Sequence, residues 1–303
     1  MRRERAPAGA QPDAVAALAE SLAVLLDAGL PPRSAWEAAA GYGAHPLADR
    51  VANALRHQRS CASALVQAAD TDDVRMLAVA WRVAERAGAP LGHALRAMAE
   101  TLRDAAETER EVDVALSGPR ATARLVSWLP AVGAVLTGAL GADLVGALGS
   151  VPGATSVGAG VLLMLAGRWW MRALVTRAVA RPLPQGLAEE LIAVGLAGGV
   201  SAGAAREIVR EAAEESGLGS LDERGAARVL RLASVAGAPA GELLTAAARQ
   251  QRRTARADGR RRATTLGVRL MVPLGACVLP SFLLLAVAPL VLSLLSSTTA
   301  GLR

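Results

Sequence analysis

The chain has 303 residues, 52% of them hydrophobic, with a formal net charge of +6 and a mean hydropathy of +0.33, high enough to direct the reading to the membrane. Tyr42 and Phe282 are the only residues of their types and all 33 basic residues are arginine. A core must therefore be packed from Ala, Leu and Val, and a GxxxxGK[ST] phosphate loop, which needs a lysine, is excluded. The only two cysteines, Cys61 and Cys277, exclude a disulfide framework.

The amino terminus, MRRERAPAGAQPD, lacks the apolar stretch of a cleavable signal peptide. Val15, Leu18, Leu22, Leu25 and Leu26 recur at helical spacing, AGLPP makes a turn, and Pro32 suits the first turn of a following helix. DTDD, with Asp70, Asp72 and Asp73, offers caps for a helix carrying Val74, Leu77, Trp81 and Ala84 that ends at Gly88. After a GAP turn, Leu91, Leu95, Met98, Leu102, Val112 and Leu116 predict a long amphipathic helix running towards the membrane. Two uncharged runs follow, Leu125 to Ala142 with 18 residues and Leu144 to Gly167 with 24, separated by Asp143. Each is long enough to cross a hydrocarbon core, which takes about 20 apolar residues as helix. Glycines and Pro152 between Asp143 and Gly153 predict the turn of a hairpin. A third run, Leu270 to Leu302, has 33 uncharged residues, with Pro273, Pro280 and Pro289 predicting kinks.

Orientation follows from arginine, since short Arg-rich segments stay in the cytoplasm. Residues 1–124 hold 15 Arg, residues 125–167 none and residues 168–269 another 17. Both polar regions are therefore expected in the cytoplasm, with the amino terminus inside and a short carboxyl tail outside.

The second polar region repeats the first. LAEELIAVGLAGGVSAG parallels LAESLAVLLDAGLPP, and VLRLASVAGAPAGELLTAAARQQRR parallels AWRVAERAGAPLGHALRAMAETLRD. Gly29 to Gly88 covers 59 residues but Gly199 to Gly237 only 38, so the second copy lacks one to two helices. The expected organisation is all-α: a polytopic membrane protein with two repeated cytoplasmic helical bundles and three transmembrane helices. Residues 1–120 form the first bundle, 121–170 a transmembrane hairpin, 171–265 the shorter second bundle, and 266–303 the third transmembrane helix with its outer tail.

The candidate chemistry is sparse. His45, His57 and His93 have no metal-ligand spacing, and no catalytic, cofactor-binding or metal constellation is readable, so the chain is expected not to be an enzyme. A small polytopic transporter or channel, the alternative, needs facing ionisable groups at mid-membrane depth; Asp143 alone interrupts the hairpin runs. In WRVAERAG, Arg82, Glu85 and Arg86 form either a solvated face or a partner-binding one. Gly88 with Pro90 and Gly237 with Pro239 are read as equivalent helix-ending turns. Arg260, Arg261 and Arg262 precede the third run and are read as topology-fixing and anionic-lipid contacts rather than nucleic-acid contacts. Gly149 and Gly153 form a GxxxG, read either as a helix contact or as a turn.

The duplicated openings LLDAGLPP and GLAGGVS, the turns AERAGAPLGHAL and ASVAGAPAGELL, and the order domain, hairpin, domain, single span together resemble the F-type inner-membrane platform proteins of type II secretion, type IV pili and tight-adherence (Tad) pili. The resemblance implies a multi-pass protein of the bacterial inner membrane with no cofactor. It would act as a scaffold that docks a cytoplasmic ATPase, contacts pilin or pseudopilin, pairs with a second platform protein or itself, and couples the ATPase to pilus assembly or protein secretion.

Overall fold

The computed structural model describes residues 9–43, 45–57, 60–139, 151–178, 183–269, 271–288 and 291. Every regular element among them is helical: α1 (Ala10–Asp27), α2 (Pro32–Gly41), α3 (Pro46–Ala54), α4 (Cys61–Ala68), α5 (Asp72–Ala87), α6 (Leu91–Ala139), α7 (Val151–Ala178), α8 (Leu187–Ala197), α9 (Ala202–Glu215), α10 (Arg224–Ala236) and α11 (Ala240–Arg269), followed by short α and π turns from Met271 to Val287. Asp143, Gly149 and Pro289 lie outside the described residues. The chain divides into two compact units, Met1–Arg110 with Pro182–Asp258 and Glu111–Arg181 with Gly259–Arg303.

The first unit is organised around α5, of whose 16 residues 11 are buried. Val74, Leu77, Trp81 and Ala84 face inward, as the spacing predicts, and α1, α4, α8 and α9 pack around them. Trp81 meets Trp36 of α2 with ring centroids 5.7 Å apart and tilted by 42°, so two tryptophans supply the bulk that the missing phenylalanines and tyrosines do not. Helices from both polar regions thus share one hydrophobic core, in which Leu191, Ile192, Val209 and Leu244 lie with Leu22, Trp36, Leu77 and Leu95.

At DTDD, Asp70 and Asp72 form ion pairs. Thr71 occupies the N-cap without a side-chain bond, Asp72 accepts from Arg75 at 2.8 Å, and Asp70 accepts from Arg50 at 2.6 Å. The Arg50 guanidinium holds the Asp70 carboxyl below the usual carboxylate range.

Helices α1, α2, α5 and α6 can be set beside α8, α9, α10 and α11, with a defined shortening. Helix α1 has 18 residues and α8 has 11, seven fewer, or about two turns. Their preceding glycines reach the following long helices accordingly. A Cβ on Gly9 would lie 2.7 Å from the Ala106 oxygen and one on Gly186 would lie 2.8 Å from the Ala248 oxygen. Ala106 stands 15 residues beyond the start of α6 and Ala248 eight beyond that of α11, again seven fewer. Between α2 and α5 the chain builds α3 and α4, whereas only residues 216–223 join α9 to α10.

The second unit contains the later part of α6, α7 and the helical segments after Gly259. Two glycines sit at close approaches in it: a Cβ on Gly160 would lie 2.7 Å from Leu285 Cγ, and one on Gly167 would lie 2.9 Å from Cys277 Cβ. Buried Ser281 donates to the Gly160 carbonyl at 3.0 Å. Small residues and a hydroxyl-to-backbone bond are how helices associate where lipid removes the hydrophobic drive. Leu125, Trp128, Val135, Leu162, Leu165, Met271 and Leu279 are exposed. Two of the prolines expected to kink this stretch are followed by π turns. π turns at Leu274–Val278 and Leu283–Val287 follow Pro273 and Pro280, widening the helix where a proline removes a donor.

Among the described residues one helical stretch, Ala240–Leu285, is long and apolar enough to cross a membrane, with 19% of its apolar window buried within the protein.

One contact in the first unit generates a sharp prediction. A Cβ on Gly198 would lie 2.1 Å from the Ala87 oxygen and 2.9 Å from the Ala89 nitrogen, although its φ of −80° suits any residue. Gly199 is the reverse case, with φ +84° and open space around it. In thermal unfolding of the full chain, Gly198→Ala should lose about 3 kcal/mol or more through overpacking against backbone. Gly199→Ala should lose only about 1 kcal/mol, from the left-handed conformation.

Candidate functional site

Gly88 closes α5 at φ +70°, with Ala89 N donating to Ala84 O at 2.9 Å, and Gly237 closes α10 at φ +64°, with Ala238 N donating to Ala233 O at 3.1 Å. Glycine enters this left-handed region without a Cβ penalty, and the proline two residues on begins a new helix instead of continuing the old one. Pro90 stands immediately before α6 and Pro239 immediately before α11, so the two GAP turns have the same local geometry.

Their surroundings differ. The last turns of α5 face α9: Arg82, nearly buried, pairs with Glu215, and Arg86 donates to Glu211 at 3.2 Å and to Glu215 at 2.8 Å. Arg86 above all holds the Glu215 carboxyl below its ordinary range. Glu85 turns the other way, accepting from Trp81 Nε1 at 3.0 Å and Ser60 Oγ at 3.4 Å. Of the residues singled out in WRVAERAG, Arg82 and Arg86 therefore join the first polar region to the second, and Glu85 is internal to the first.

A second polar seam was not legible beforehand. Glu20 stands seven residues before the end of α1 and Glu190 seven before the end of α8; Arg103 and Arg252 each stand twelve beyond the start of α6 and α11. The same ion pair forms twice, Glu20 with Arg103 and Glu190 with Arg252. The first is at the surface. The second is enclosed, its side chains 6% and 5% exposed, because α6 lies over it: Arg252 also donates to Asp104 at 2.9 Å and to Thr101 Oγ1 at 3.3 Å. Burial raises the proton affinity of Glu190 in spite of Arg252, so desolvation outweighs the pairing. Beside it, buried Glu189 accepts from Gln251 at 2.6 Å. Gly225 makes room for that bond, since a Cβ there would lie 2.1 Å from Glu189 Oε1. An open cleft of about 370 Å³ lies over this seam, lined by Glu100, Arg103, Asp104, Arg249, Arg252, Arg253 and Arg256. Its chemistry is that of cationic surface and ion pairing.

The remaining candidates are placed as follows. Arg260 donates to Glu111 within the second unit at 2.8 Å, while Arg261 and Arg262 are exposed with no ion-pair partner among the described residues. His45 caps α3 through Nδ1, which accepts from Leu47 N at 3.0 Å, and burial, then Arg50, lowers its proton affinity. Burial pushes the Cys61 thiol up to about 11.

Replacing Arg252 by Met strands Glu190. At neutral pH the variant should lose about 3 kcal/mol, the cost of leaving one member of a buried pair. Glu190 holds its proton more tightly folded than unfolded, so stability is retained at low pH and lost as the pH rises through the native value. The loss should shrink on acidification and be largely relieved in Arg252→Met/Glu190→Gln, as unfolding curves at several pH values will show.

Residues 18–137, from the middle of α1 to the last turn of α6, match the family model described as Type II secretion system (T2SS), protein F. No curated protein and no solved structure matches the chain.

Proposed function

We infer, from a chain that carries a type II secretion system F domain over residues 18–137, that it is an inner-membrane component related to type II secretion and type IV pili, acting as their platform. The F-domain match is the observation that carries this reading. The apolar helix Ala240–Leu285 supports its membrane part, as do the uncharged runs at 125–142 and 144–167, each sufficient for a span. In this reading three helices cross the bilayer, with the amino terminus and both Arg-rich regions in the cytoplasm. Arg261 and Arg262 meet anionic headgroups, each contributing about 1 kcal/mol.

The platform is not an enzyme and takes no cofactor. It docks a cytoplasmic secretion ATPase through the first unit and contacts pilin or pseudopilin in the bilayer; the combined repeat and span order suits a tight-adherence pilus. Support for a scaffold comes from the chemistry of the polar seams, whose arginines and carboxylates are spent on one another.

Two measurements test the reading on the full chain in bacterial membranes. Reporters fused after Arg181 or Arg256 should read cytoplasmic and one fused near Pro152 external; protease access to 185–260 from outside contradicts the topology. Cross-linking in membranes should capture the cognate secretion ATPase and pilin, and capture of neither removes the platform role.

A further inference from the structure

We propose that the exposed face of α10 docks onto the α1–α2 hairpin of a second copy of this chain, repeating between molecules the contact that α5 makes with α8 and α9 inside one. This rests on the correspondence of the two polar regions and not on the secretion reading.

Inside the chain, the donor face of α5 consists of Arg82, Val83, Arg86 and Ala87. Arg82 and Arg86 pair with Glu211 and Glu215, Val83 Cγ1 lies 3.8 Å from where a Cβ on Gly195 would stand, and the Ala87 carbonyl lies against Gly198. Registering α10 on α5 by the GAP turns makes the counterparts Arg231, Leu232, Val235 and Ala236. The register holds at burial: Leu77 and Ala84 correspond to Ala226 and Ala233, all four buried. Yet the counterparts of the donor face are all exposed, Leu232 at 58% and Val235 at 88%. Arg231, like Arg228 one turn earlier, has no ion-pair partner among the described residues. Two large aliphatic side chains beside uncommitted arginines are unusual on a solvated helix, which ordinarily turns its apolar stripe inward.

The receiving face is also present twice and used once. Registering α1–α2 on α8–α9 by Gly29 and Gly199, both at positive φ, pairs buried Ala35 and Ala39 with buried Ala205 and Val209. On α8, Leu191, Val194 and Gly195 are buried, and Gly198 touches α5. Their counterparts on α1 are Ser21, Val24, Leu25 and Ala28, of which Ser21, Val24 and Ala28 are exposed, Val24 at 62%. Tyr42, the only tyrosine, ends α2 at 92% exposure, where its counterpart Ala212 is buried.

The two unused faces match in their apolar part. Where the inner contact sets Arg86 against Glu211, the outer one offers Val235 to Gly41 beside Tyr42, so a basic-acidic pair has become an apolar one on both sides. Glu215 has His45 as its counterpart, so the arginine pairing of the inner contact is not repeated. The inner contact is head-to-tail, the second half of one region onto the first half of the other. A head-to-tail contact leaves one complementary face at each end and is continued by the next copy of the same unit. A second copy of this chain carries the required α1–α2 face by construction. Ala28 has the methyl group that Gly198 lacks, so the outer contact is wider than the inner one and weaker.

The test uses two differently tagged full-length chains, co-expressed and purified together in detergent, with Cys61 and Cys277 replaced by Ala. One carries Ala28→Cys and the other Ala236→Cys, the counterparts of Gly198 and Ala87, and a short bismaleimide is the probe. The proposal expects cross-linked dimers carrying both tags only when the two variants are mixed. Cross-linking within either variant alone indicates a twofold contact and overturns it, as does an absence of mixed dimer or capture only of a different protein. A second measurement needs no cysteine: Val235→Arg, at a site too exposed to disturb folding, should weaken self-association by roughly tenfold or more in light scattering, about 1.4 kcal/mol. An unchanged association state also overturns the proposal.

Discussion

At Gly198 the first turn of the second polar region lies in backbone contact with the last turn of α5, and the arrangement of the first unit depends on that approach. No side chain fits there, because the Ala87 carbonyl stands 2.1 Å from where a Cβ would be placed, far inside van der Waals contact. With the backbones this close, α8 and α9 close over α5, Gly195 admits Val83, and Arg82 and Arg86 come within reach of Glu211 and Glu215. The surface ion pairs each contribute at most about 1 kcal/mol, so they fix register more than they hold the halves together. Cohesion comes from the shared apolar core, in which Leu191 and Ile192 meet residues of α5 and every buried methylene contributes about 0.8 kcal/mol.

The same constraint explains what could be read from the sequence. Helix ends were legible because their chemistry is local: a glycine followed two residues later by proline ends a helix whatever surrounds it, and Gly88 and Gly237 behave alike. The inward face of α5 was legible from its 3.6-residue period. What covers that face was not, since Val83 or Ala87 has the same pattern whether its own region or the other one buries it. Arg86 and Glu211 are separated by 125 residues, and no spacing rule reaches that far. For the enclosed Glu189 and Glu190 a signal existed in two adjacent acids within LAEELI, whose partners Gln251 and Arg252 are two adjacent polar residues later in the same polar region. At Pro273 and Pro280 the sequence shows the lost donor but not the π turn that follows each.

The second unit packs differently. Its outward apolar residues, its contacts at Gly160 and Gly167, and the Ser281 bond to a backbone carbonyl are features that suit helices surrounded by lipid. The first unit keeps its charges paired, with the enclosed Glu190–Arg252 pair as the extreme case. A pair of this kind stabilises little and is costly to break, which suits a device for fixing one arrangement.

If the Gly198 contact makes one cooperative body of the two polar regions, their deepest amides must open together. Hydrogen exchange of the full chain in detergent, followed over increasing denaturant, measures this directly. The account predicts that amides in the buried middles of α5 and α8 share one opening free energy and one denaturant dependence, both lowered equally by Gly198→Ala. Exchange of α8 at lower free energy and by a smaller opening, with α5 still protected, would contradict it and return the chain to two independent bundles.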